Sequence, residues 1–162
     1  MLSTALLSTE QLIGDIFKNL FKNHFMRRPR KVLVIPKRKD NAKEDLAKLL
    51  DKSRVRFEDI ETELLGNEVI VWVTTRQEKL VKEALDKNNI KSFTSEVVPV
   101  KLSTKPGELA KIARILVSAG ITLKDTHLIL KSRRDALYGF MTNRPRETAK
   151  IIAKLELLKN ED

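Results

Sequence analysis

The sequence predicts an α+β fold, two tandem β-α-β-β-α-type units with antiparallel sheets behind an amphipathic amino-terminal helix. Three observations carry this. Short β-branched runs and helical stripes alternate in the same order twice along the 162 residues. The run Val69-Ile70-Val71-Trp72-Val73 has almost no polar alternation, as in a central strand buried on both faces. Ser8-Thr9-Glu10-Gln11 is a capping box that opens a helix.

That first helix carries Leu12, Ile13, Ile16, Phe17, Leu20, Phe21 and Phe25 on one stripe, with Asp15, Lys18, Asn19, Lys22 and Asn23 opposite. It ends near Met26, because Arg28 precedes Pro29 and is pushed out of helical conformation. Residues 1–30 are therefore read as a helix with a basic connector, Arg27-Arg28-Pro29-Arg30-Lys31. Its stripe requires a partner: a sheet face or another copy of the chain.

Residues 31–95 form the first unit. Val32 opens a strand, Ala42, Leu46, Leu49 and Leu50 mark a helix, and an extended half-polar segment turns at Gly66-Asn67 into the central strand. Leu80, Val81, Ala84 and Leu85 mark a second helix that Asn88-Asn89 ends, and Ile90 returns as a strand. This β-α-β-β-α-β order is the split βαβ plan of a ferredoxin-like sandwich. Residues 96–162 repeat it: a strand from Val97, a turn at Lys105-Pro106-Gly107, and a helical stripe of Leu109, Ile112, Ala113 and Leu116 capped by Gly120. Two strands joined near Ser132 and a final helix from about Arg146 follow, with no closing strand. Both helices of such a unit lie on one sheet face, yet Val32-Leu33-Val34-Ile35 and the central strand are apolar on both, so the second face needs cover. The other unit, the amino-terminal helix and another copy of the chain are the candidates.

Composition narrows function. Cysteine is absent, which removes disulfides, thiolate nucleophiles and cysteine metal sites and fits a cytoplasmic location. The amino terminus lacks the pattern of a secretory signal, and no apolar run approaches the ~20 residues that cross a bilayer. Two histidines in different parts of the chain, with no phosphate loop or nucleophile elbow, give no catalytic residues; no metal or cofactor is expected. His24 is read as solvated and His127 as a strand surface residue.

Val98-Pro99-Val100-Lys101-Leu102, Thr104-Lys105-Pro106-Gly107-Glu108-Leu109 and Ser118-Ala119-Gly120-Ile121-Thr122-Leu123 combine a strand, a Pro-Gly turn into a helix, and a helix ended by Ala-Gly-Ile. On these residues the stretch 97–158 resembles the ACT domain, a regulatory module known for binding amino acids. The first unit matches in topology only, with Lys37-Arg38-Lys39-Asp40-Asn41-Ala42 in place of the Pro-Gly turn, and reads as a degenerate ACT-like repeat. The resemblance implies a non-catalytic regulatory protein. Its small-molecule site would comprise Thr104, Lys105, Pro106, Gly107, Glu108 and Leu109, together with Gly120, Ile121, Thr122, Leu123 and Asp125 from a neighbouring unit. It also implies a homo-oligomer, a dimer or higher. Gly107 permits close backbone approach, and the amides that open the following helix suit a carboxylate. The family commonly has asparagine after Gly-Ile; Thr122 stands there in this chain and reaches less far.

Two other readings stand beside this one. Pro106, Gly107 and Gly120 also suffice as turn and cap residues of a structural dimerisation module without ligand. The net charge of +10 favours polyanions, and Arg27, Arg28, Arg30, Lys31, Lys37, Arg38 and Lys39 lie close in sequence. Only 5% of residues are aromatic and no Lys/Arg-Gly-Phe-type motif occurs, so nucleic-acid contact would be weak and non-specific. Tyr138 and Phe140 are read as core or interface.

Overall fold

The computed structural model describes residues 29–160. The expected amino-terminal helix, His24, Arg27 and Arg28 lie outside the described residues. The elements are β1 (Arg30–Ile35), α1 (Ala42–Lys52), β2 (Asp59–Leu65), β3 (Glu68–Thr75), α2 (Glu78–Lys87), β4 (Lys91–Phe93), β5 (Val98–Ser103), α3 (Glu108–Ser118), β6 (Leu123–Lys131), β7 (Asp135–Thr142) and α4 (Pro145–Asn160). The first sheet has the order β2-β3-β1-β4 and the second β5-β7-β6. Every pairing is antiparallel. The first order is that of a complete ferredoxin-like unit; among the described residues the second has the same order without a fourth strand. The extended segment expected from Val55 to Leu65 is shorter than read, because residues 55–58 precede β2 as a loop.

Alternation along each strand sorts the core into three clusters. Val32, Val34, Val71 and Val73 meet Leu46, Leu50, Val81 and Leu85 of α1 and α2. Val98, Val100, Leu102 and Phe140 meet Ile112, Leu116 and Ile152 of α3 and α4, with Tyr138 packed against them. The third cluster contains Leu33, Leu65 and Ile70 of the first sheet and Ile129 and Leu137 of the second. The odd and even residues of β1 therefore serve two interiors, which is why that strand reads as one apolar run. The result is four layers, helices on sheet on sheet on helices.

Each unit supplies the cover that the other's second face requires. Of the three candidate covers, the other unit is the one that closes the seam, so these faces do not call for a partner copy. His127 proves to belong to the seam: its ring lies 5.4 Å from that of Phe93. The hairpin tips also meet there, since a Cβ on Gly66 (φ +59°) would fall 2.8 Å from Ser132 Cβ. Lys101 and Glu63 form an ion pair across the two units. Among the described residues no helix is long and apolar enough to cross a membrane.

Candidate functional site

The bend after β5 is built from backbone. Thr104 N donates to Arg134 O at 2.9 Å, and Thr104 Oγ1 donates to Arg133 O at 3.3 Å, tying the bend to the β6–β7 turn. Lys105 and Pro106 stay exposed. Gly107 then takes φ 87° and ψ −10° as the residue that opens α3, and Lys111 N closes the first helical turn on Gly107 O at 3.0 Å. This left-handed conformation is the reason for glycine. A Cβ here would meet nothing within 4 Å, so the space before α3 is open. Gly107 brings no side-chain cap to the helix. Glu108 is half-buried in the first turn and Leu109 packs on the core of the second unit. Sequence reading missed Arg133 and Arg134; nothing in their spacing shows that a hairpin turn brings them to the bend.

The second group of expected residues stands at the other end of α3. Gly120 has φ +78°, and Ile121 N donates to Leu116 O at 3.0 Å, which ends the helix as a glycine cap does. Ile121 is buried in the core, leaving only its backbone for other contacts. Thr122 N donates to Asn143 Oδ1 at 2.9 Å, and Asn143 N returns a bond to Thr122 O at 3.2 Å. Leu123 is half-buried, and Asp125 is exposed with Oδ2 4.0 Å from His127 Nδ1. An 11-residue helix spans about 16 Å. One small ligand therefore cannot touch both groups of a single copy; the two meet only if a second unit supplies one of them.

The first unit carries a counterpart bend. Asn41 opens α1 with φ 57° and ψ 27°, and Asp45 N donates to Asn41 O at 2.9 Å, as Lys111 does to Gly107. Lys39 Nζ reaches Asn67 O at 2.9 Å and Glu68 Oε1 at 3.3 Å, so this bend too is tied to its hairpin turn. A cavity of about 200 Å³ lies beside it, walled by Val34, Pro36, Lys37, Arg38 and Leu46 among others.

Larger cavities, about 620 and 510 Å³, run along the seam and the outer edge of β5. Their walls include Trp72, Pro99 and Ala149, none of which the sequence singled out as a site. Trp72 faces this seam and is half-buried, on the sheet face that the second sheet covers. Among the described residues no three His, Asp or Glu side chains gather as a metal set.

No protein-family model matches the chain, and no curated protein matches it in sequence. Among solved structures, a protein from Bacteroides thetaiotaomicron aligns with 80% of this chain and 90% of its own, at 13% identity and a TM-score of 0.40. The regulatory subunit of aspartate kinase from Thermus flavus aligns with 78% of this chain and 92% of its own, at 11% identity and a TM-score of 0.36. The ligand-free regulatory subunit of aspartate kinase from Thermus thermophilus aligns over the same shares, at 11% identity and a TM-score of 0.35. Likenesses of this size settle nothing further, and the ferredoxin-like assignment rests on the strand order described above.

Proposed function

We propose that the chain is a non-catalytic sensor that binds a small molecule, an amino acid, at the bend before α3 and answers by a change in assembly or in a partner's activity. The observation that carries this is the open space in front of Gly107, at the amino-terminal end of a helix, with a left-handed backbone there that favours glycine. The positive end of the helix dipole and the nearby Lys105, Arg133 and Arg134 favour a carboxylate. The resemblance of residues 97–158 to the ACT domain supplies the ligand class.

In this reading two copies pair so that the bend of one faces the Gly120–Asp125 segment of the other. The separation of the two groups by the length of α3 supports it. So does the position of β6 on the outer edge of its sheet, with Leu128 46% exposed. Binding then stabilises the paired state by population shift. Thermal melting of the full chain with each common amino acid at millimolar concentration tests the idea. A ligand at 100 times its Kd adds about 2.7 kcal/mol, so at least one amino acid should raise the melting temperature and increase the sedimenting mass. Gly107→Val should abolish both effects. If none of the amino acids shifts the melt, the dimerisation module without ligand becomes the better description.

A further inference from the structure

The seam holds a cavity of about 620 Å³ that is separate from the bend before α3. Its floor is apolar and fixed. Leu33 and Trp72 are cross-strand partners on the inner face of the first sheet, and Phe93 of β4 and Val98 of β5 line the cavity with them. The Trp72 indole Nε1 donates to Glu63 Oε2 at 2.7 Å, and the Phe93 ring rests against His127, so both aromatic walls are already in place before anything binds.

The mouth is basic. Arg30 and Lys31 of β1, Arg144 just before α4 and Arg146 in its first turn outnumber the two carboxylates of the lining, Glu96 and Glu147. Arg30 is engaged by Glu78 at 3.5 Å and Ser95 at 3.1 Å, and Arg144 by Glu147 at 3.3 Å. Lys31 and Arg146 form no ion pair among the described residues. A carbon-lined floor below unmatched cations suits a molecule that is apolar at one end and negative at the other.

We propose that this cavity is a binding site for a small amphipathic anion. Its aromatic or aliphatic body sits on Trp72 and Phe93, and its carboxylate, sulfonate or phosphate group meets Lys31 and Arg146 at the mouth. The volume lies within the roughly 300–1,000 Å³ of small-molecule sites, which favour boundaries between structural units. Because both units supply walls, an occupant bridges them and stiffens the seam. A neutral apolar body would leave the cations unmatched, and an inorganic anion would leave the floor empty.

Trp72 is the single tryptophan of the chain and lines the cavity, so it reports directly on occupancy. The probe is 1-anilinonaphthalene-8-sulfonate, titrated into the full chain while Trp72 emission is followed. The expected result is saturable energy transfer from Trp72 at one probe per chain, weakened by salt. The double variant Lys31→Glu/Arg146→Glu should weaken binding roughly tenfold, since it reverses both unmatched charges. Ala149→Phe, which fills space on the α4 wall, should weaken it too. Gly107→Val should leave it unchanged, so the failure of this site and of the bend site are distinguishable. Transfer that is absent, unsaturable or equal in all variants overturns the proposal.

Discussion

The two units share a plan and differ in closure. In the first, β4 pairs with the outer edge of β1 and completes a four-stranded sheet; in the second, β5 has no such neighbour among the described residues. What they share lies at the ends of the central strands. β3 and β7 both finish on a buried threonine, Thr75 and Thr142, whose hydroxyl accepts from the amide two residues on, Gln77 N at 2.9 Å and Arg144 N at 3.2 Å. Both first helices open on a left-handed residue, Asn41 and Gly107. The repeat is thus kept at backbone positions with special demands, while the edge strand is free to differ. The unit with three described strands borders the larger cavities, which run along the exposed edge of β5.

The seam makes the comparison breakable. Leu33 and Leu137 are buried side chains from opposite sheets in one cluster. Leu137→Ala should cost about 2–5 kcal/mol, as deletions of buried leucine do. Trp72 belongs to the first unit and Tyr138, the single tyrosine, to the second, so their signals follow the two units separately in urea. Coincident midpoints, both lowered by Leu137→Ala, are expected. A Trp72 transition that stays in place while that of Tyr138 moves would mean that the units unfold independently.

A smaller effect sharpens the equivalence of the strand ends. Thr75 Oγ1 donates to Arg56 O at 2.8 Å as well as accepting from Gln77. Thr148 Oγ1 spends its hydrogen on Arg144 O at 2.8 Å, so in the 2.8 Å contact between Thr142 and Thr148 the hydroxyl of Thr142 is the donor. Valine at either position keeps the shape and takes a hydrogen-bond partner from two groups. Thr75→Val and Thr142→Val should each lower stability by about 1–3 kcal/mol in chemical denaturation. A large loss at one and none at the other would show that the shared motif matters in only one unit.

The strand and helix order was legible because both periodicities change sharply at turn residues, as at Gly66-Asn67 and Lys105-Pro106-Gly107. Which surface covers the second face of β1 and β3 was not. An unbroken apolar run such as Val69 to Val73 states that both faces are dry and is silent about the cover. The seam cavity was invisible for a related reason: Trp72, Pro99 and Ala149 are far apart in sequence and meet only through sheet-on-sheet packing. At the bend, Gly107 announced its conformation by its side chain, or lack of one. Asn41 did not, because asparagine tolerates the left-handed region without requiring it.

That last contrast yields the smallest and most discriminating change. If Asn41 and Gly107 fill one role, the residue types should be ranked by left-handed propensity at both, whatever surrounds them. Asn41→Gly removes a side chain that makes no cap hydrogen bond and eases φ 57°, while adding freedom to the unfolded chain. The two effects oppose, so stability should move by less than about 0.5 kcal/mol. Asn41→Val asks a β-branched residue to hold the same φ and should cost about 1–2 kcal/mol. Chemical denaturation of the two variants separates these outcomes. Equal losses would mean that the asparagine side chain, and not the backbone angle, is what the first bend uses, and the correspondence between the two bends would then be one of position alone.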